Sequence, residues 1–212
     1  MSKVLLLGAS GLIGGELLSL LLADARVSAL YAPTRSPLAP AAKLSNPQHP
    51  DLAVALAMLS EPLDIVFCCL GTTRKAAGSR QAFRHVDYTL VVESALAARR
   101  LGAQHLLVVS ALGASPRSLF FYSRVKGEME QALRAQAWPH LTLARPSLLL
   151  GVRRTPRPME SGSACLFRHL PGKWRAIDGE DVAHALLSQA FSRNLPAVQV
   201  LEADRLRQLA AG

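Results

Sequence analysis

The stretch "KVLLLGASGLIGGELLSLLLAD", residues 3–24, decides the fold. A short apolar run stops at Gly8, Gly11 and Gly14 follow at three-residue spacing, and leucines then recur with helical periodicity. A brief apolar run closed by glycine reads as a buried strand, and the leucine-rich segment after it reads as a helix. In a strand, tight turn and helix of this kind, glycines let backbone approach a ligand closely. The unpaired N–H groups of the first helical turn then meet a pyrophosphate. The pattern predicts a dinucleotide held by Gly8, Ser10, Gly11, Leu12, Ile13 and Gly14. The alternative is a helix packed tightly on a strand through small residues and binding nothing. The bare motif does not separate the two, but its position favours the dinucleotide.

Outward from there the same alternation continues. "RVSALYAPTR" reads as a strand, Ser36 to Pro50 as a proline-rich loop with at most a vestigial third strand, and "LAVALAML" as a helix. "LDIVFCCLG" is a buried strand, "SRQAFRHVDYTLVVESALAARRLG" a long helix, "HLLVVSALG" a strand and "YSRVKGEMEQALRAQAW" a helix. After "LTLARPSLLLG" come an Arg/Pro-rich loop, the helix "EDVAHALLSQAF", the strand "AVQVLE" and a last helix. Strands separated by helices of this length imply βαβ crossovers and a parallel sheet covered on both faces. The expected fold is α/β, a Rossmann-type doubly wound sheet. It forms one NAD(P)-binding domain over residues 1–212, in which 146–212 is a small C-terminal substrate-facing extension.

Two positions bear on the choice of cofactor. An NAD site carries an acid at the end of the second strand, on the ribose 2′-hydroxyl. Here that place reads "APTRSP", with Arg35 and no acid; the nearby Asp24 falls at the end of the preceding helix. A guanidinium suits a 2′-phosphate, so NADP is expected, with NADPH preferred over NADH. "LGTTR", residues 70–74, ends the strand that flanks the first one across the switch point, where ligands bind beyond the strand ends. Leu70, Gly71 and Thr72 are expected to line the cofactor, with capping of the next element as the alternative reading for the threonines.

Tyr122 and Lys126 stand four residues apart on one face of a helix. Twelve residues before Tyr122, Ser110 ends a strand at the same edge of the sheet. Carbonyl reduction needs hydride from the cofactor and a proton for the oxygen. Tyr122 is the expected donor, and Lys126 the cation that lowers its pKa and holds the ribose; Ser110 is expected to hold the substrate oxygen. A solvated Tyr/Lys helix face with a strand-end serine is the bland alternative.

With these residues in view, the sequence resembles the short-chain dehydrogenase/reductases over essentially its whole length. "GASGLIGG", Ser110 followed by "YSRVK", and "RPSLLLG" carry the likeness. "FCCLGTTRKAAGS", "FRHVDY", "VVSALGAS" and "FYSRVKGE" look like the atypical branch that includes the Tat-interacting-protein-like NAD(P)-binding oxidoreductases. The resemblance implies a Rossmann sheet, NADP(H), Ser110, Tyr122 and Lys126 as the catalytic trio, and Pro146 in the loop lining the nicotinamide pocket. Where many members carry a catalytic asparagine, this chain offers Asp87. Its tail is shorter than in relatives that bind nucleotide sugars, which argues against that substrate class.

Composition narrows the rest. Nineteen arginines and five lysines give a net charge of +9, but the arginines are scattered and aromatics are scarce. No basic stripe or stacking platform for nucleic acid emerges, and apolar runs are too short for a membrane span. Cys68 and Cys69 read as small buried hydrophobes pointing to opposite faces of a strand, and no metal-type spacing occurs. The Arg153, Arg154, Arg157 and Glu160 segment reads as a solvated loop, with an anionic-substrate contact as the alternative. His184, Trp138 and Trp174 read as packing residues. The expected protein is a cytoplasmic NADP(H)-dependent oxidoreductase acting on a small carbonyl or alcohol, with a homo-oligomer left open. The competing reading is an NADP(H)-binding sensor with little or no turnover.

Overall fold

The computed structural model describes residues 1–150 and 172–211. The apolar run that opens the chain is β1 (Ser2–Leu7), whose last four residues are buried in the middle of the sheet. Helix α1 (Leu12–Ala23), β2 (Val27–Tyr31) and a two-residue β3 (Leu44–Ser45) complete the first half. After α2 (Leu52–Ala57) and β4 (Ile65–Cys68), a short α3 (Arg74–Ala77) leads into α4 (Arg80–Arg84). A π-helical turn, His85–Thr89, joins α4 to α5 (Leu90–Arg100). Strand β5 (His105–Val109), α6 (Phe121–Ala135) and β6 (His140–Arg145) come next. A pair of two-residue strands, β7 (Leu149–Leu150) and β8 (Ile177–Asp178), stands apart from the main sheet. The chain closes with α7 (Gly179–Ala190), β9 (Val198–Glu202) and α8 (Ala203–Ala210).

Seven strands form one sheet in the order β3-β2-β1-β4-β5-β6-β9, every neighbouring pair parallel. The order reverses between β1 and β4, which is where a doubly wound sheet opens a crevice at its carboxyl edge. Alternate residues of the central strands feed two cores. Val4, Leu6 and Phe67 pack with α1, α7 and α8 on one face, while Leu5, Leu7, Val66 and Cys68 pack with α2, α5 and α6 on the other. Strands buried on both faces read as unbroken apolar runs, which is why they were legible.

The part of the tail from Gly172 onward is woven into the sheet rather than appended to it. Strand β9 extends the sheet beyond β6, and α7 lies against α1 closely enough that a Cβ on Gly179 would meet Leu12 Cγ at 2.8 Å. The loop carrying Arg153, Arg154, Arg157 and Glu160 lies outside the described residues. Trp138 is buried as expected, but Trp174 is 56 % exposed and His184 faces solvent, 4.0 Å from Glu180. Among the described residues no helix is long and apolar enough to cross a membrane.

Candidate functional site

The glycine turn is built by close approach. Gly8 has φ +82°, and a Cβ there would lie 2.7 Å from the carbonyl oxygen of Cys69, so the connections leaving β1 and β4 touch at the floor of the crevice. A Cβ on Gly14 would lie 2.1 Å from the Gly8 carbonyl oxygen, and one on Gly11 3.2 Å from the same atom. Gly11 caps α1 without any side-chain acceptor. The N–H groups of the first turn, at Leu12, Ile13 and Gly14, therefore have no side-chain cap. Small cradle, bare helix end and switch point together fit a bound pyrophosphate. Gly14→Ala tests the fit. Overpacking of about 1–3 kcal/mol should lower the melting temperature by roughly 2–12 °C and weaken dinucleotide binding with it. An unchanged melting temperature would mean that the turn is looser than these contacts imply.

Around the adenosine side, Arg35 is exposed just past β2, and Asp24 is occupied by Arg26 at 2.6 Å. No acid replaces it there. Thr73 caps α3, accepting from the Ala76 N–H at 3.1 Å, as the capping alternative had it. The Thr72 N–H is donated to Asp87 Oδ2 at 2.8 Å, so its backbone is committed inward.

Asp87 turns out to be central. It is 1 % exposed and pairs with Lys126 Nζ through Oδ1 at 2.9 Å. Lys126 is 3 % exposed and also approaches the Val109 carbonyl at 3.4 Å, which ties α6 to the end of β5 beside Ser110. Burial alone would lower the Lys126 pKa, but the Asp87 charge and the Tyr122 phenol outweigh it and hold the ammonium above the ordinary lysine value. Gly71 lies over this pair: a Cβ there would meet Asp87 Oδ1 at 3.3 Å and Lys126 Nζ at 3.8 Å. Asp87 reaches inward from the π-helical turn. One residue more per turn displaces the side chains from the regular α-helical rows, a device common at functional sites.

Tyr122 lies in the first turn of α6 with its ring 5.6 Å from that of Phe83, itself fully buried. The residue is 42 % exposed. The expected lowering of its pKa is not found. Burial around the hydroxyl raises it above the ordinary tyrosine value; Lys126 pulls down as foreseen, but Asp87, unforeseen in this role, pushes up. The phenol is thus a protonated donor at neutral pH.

Ser110 stands at the end of β5 and is 4 % exposed. Its hydroxyl donates to Glu130 Oε1 at 2.5 Å rather than standing free to hold a substrate oxygen. Pro146 is joined to the loop after β5 through its carbonyl, which accepts from Leu112 N–H at 2.9 Å. The sequence reading missed Asp87 as a pairing partner, Phe83 and Glu130. Only "KGEME" on the tyrosine helix offered a hint of Glu130, because position 130 is one turn beyond Lys126. Cys68 is a buried core residue as expected, whereas Cys69 is only half-buried against the opposite core; burial pushes the Cys68 thiol up to about 11 and Cys69 further in the same direction.

A parallel sheet with a bare glycine-lined helix end at its switch point, flanked by a buried lysine and a tyrosine, defines a Rossmann-type dinucleotide-binding protein. A family model described as NAD(P)H-binding matches residues 8–193. The chain belongs to the NAD(P)H-binding atypical short-chain dehydrogenase/reductase family. It is 34 % identical to "Protein fmp52, mitochondrial" of Aspergillus clavatus, covering 93 % of this chain and 92 % of that one. It is 36 % identical to "Protein HTATIP2" of Rattus norvegicus over 66 % of this chain and 58 % of the relative. Among solved structures, MoeE5 in complex with UDP-glucuronic acid and NAD superposes with a TM-score of 0.73 at 20 % identity, over 94 % of this chain and 75 % of that one. At that identity the likeness speaks for the fold.

Proposed function

We propose that the protein is an NADP(H)-dependent oxidoreductase that interconverts a carbonyl and an alcohol, with Tyr122 as general acid and base. What supports the reading is Tyr122 standing one helical turn before a buried, Asp87-paired Lys126 to which it is electrostatically coupled. The cofactor supplies or takes the hydride. The chain's residues do the rest: the α1 N-terminus neutralises phosphate, Lys126 offers an ammonium beside the phenol, and Tyr122 delivers the proton to the forming alkoxide. A screen of carbonyl compounds that tracks NADPH loss should find turnover. A protein that binds NADPH tightly but consumes it with no carbonyl would be a sensor instead.

Preference for NADP(H) rests on Arg35, which is exposed and has no acid in the flanking sequence "APTRSP". One charge-assisted contact contributes about 1.5–3 kcal/mol, or roughly one to two decades in affinity. Fluorescence titration should therefore find NADPH binding tighter than NADH by that factor, and Arg35→Ala should remove the difference without altering NADH. Equal affinities in the unaltered protein would exclude the 2′-phosphate role.

A further inference from the structure

Three arginines gather on a flank of α6 that the oxidoreductase reading does not use. Arg117 comes from the loop before the helix, Arg134 from its last turn and Arg145 from the end of β6. Together with Gly127, Glu130 and Gln131 they line an open pocket of ≈ 430 Å³. Helical geometry separates it from the catalytic pair. Tyr122 and Lys126 share one face, whereas Gly127, Gln131 and Arg134 form a stripe about 100° further round.

Close approach holds the pocket wall in place. A Cβ on Gly127 would lie 2.1 Å from the carbonyl carbon of Ser115 and 2.3 Å from Pro116 N, so the loop rests directly on the helix backbone. The Ser115 N–H donates to the Ser123 carbonyl at 3.0 Å, and the Ser118 N–H to the Ser115 carbonyl at 3.0 Å. The Arg117 N–H adds a bond to Ser115 Oγ at 3.3 Å, so this arginine lines the pocket from a fixed turn.

The three guanidinium groups are unequally committed. Arg145 Nε and Nη2 donate to the two oxygens of Glu130 at 2.9 and 2.5 Å, and Nη1 lies 3.5 Å from Glu202. Glu130 also accepts from Ser110, so both of its oxygens already have donors. Arg26 and Arg84 likewise hold carboxylates elsewhere on the surface. Arg117 and Arg134 are exposed, and neither has a carboxylate partner among the described residues. A carboxylate offers two oxygens and is matched by a single guanidinium fork. A phosphate has oxygens enough for charge-assisted bonds from two arginines at once.

We propose that this pocket binds a phosphate group, held between Arg117 and Arg134 with Gln131 beside them, against the Arg145–Glu130 pair. Inorganic phosphate and the monoester of a small metabolite present the same chemistry to it. The site is separate from the dinucleotide crevice and stands independently of the oxidoreductase reading.

Arginine Nε–H resonances of nitrogen-labelled full-length chain read the site directly, with the two signals assigned by their loss in Arg117→Gln and Arg134→Gln. Glycerol phosphate should shift both along one saturable curve, with NADPH bound and without it. Either substitution should weaken that binding by roughly ten- to a hundredfold, the worth of one charge-assisted contact. Glycerol phosphate binding tighter than inorganic phosphate would bear the site out with a metabolite as its ligand; equal binding would bear it out with the free anion. Signals that stay still, or that acetate moves as far at matched ionic strength, would overturn the proposal and leave two solvated arginines. Shifts that NADPH abolishes would put the phosphate at the glycine turn and overturn it as well.

Discussion

Tyr122→Phe should lower turnover of any carbonyl substrate by about 10²–10⁴-fold, the usual contribution of a positioned general acid, while NADPH affinity stays where it was. The substitution removes one oxygen from a ring that keeps its contact with Phe83, so folding offers no competing explanation. The pH profile should carry the same signature. A donor works while protonated, and burial and Asp87 hold the phenol above the ordinary tyrosine value. Reduction rates should stay level through neutrality and fall only at alkaline pH beyond the range where an ordinary tyrosine titrates. Lys126→Met removes the one downward pull and leaves the Asp87 charge in place, so the fall should move to still higher pH. A profile that breaks near neutrality in the unaltered protein would assign the proton to another group.

The second large effect concerns stability. The Lys126–Asp87 pair spans 2.9 Å with side-chain exposures of 4 % and 1 %, so removing either partner leaves a dry, uncompensated charge. Asp87→Asn and Lys126→Met should each cost about 3–5 kcal/mol in urea unfolding. The double variant Asp87→Asn/Lys126→Met should cost far less than their sum, since it strands no charge. Additive losses would mean that the two residues contribute independently and do not act as a pair.

Much of the fold was legible because its signals are local. Gly8 ends an apolar run, Gly11 and Gly14 come after it at fixed spacing, and the buried strands read as uninterrupted hydrophobic segments. Even the stunted third strand, Leu44–Ser45, could be expected from the prolines around it. Of the site, Tyr122 and Lys126 were legible because a helix stacks positions four apart. The features that escaped depend on contacts between distant segments. Asp87 meets Lys126 across 39 positions, and nothing in "FRHVDYTL" announces the widened turn that aims it. Glu130 gains its meaning from Ser110 and Arg145, which arrive on neighbouring strands. The expected downward shift of Tyr122 failed for the same reason: the cation was visible in the sequence, whereas the anion and the burial opposing it were not.

The widened turn has a consequence for how this helical rod can change. Phe83 before it wedges between Phe121 and Tyr122, while Val91, Ala95 and Ala98 after it seat against the sheet. A one-residue deletion anywhere in 85–89 would restore a regular ladder and rotate the leading segment by about 100° relative to the trailing one. The aromatic wedge and the seated alanines could not then both keep their places. The surplus residue works as a phase adjuster, and its length is as fixed as any side chain in the crevice.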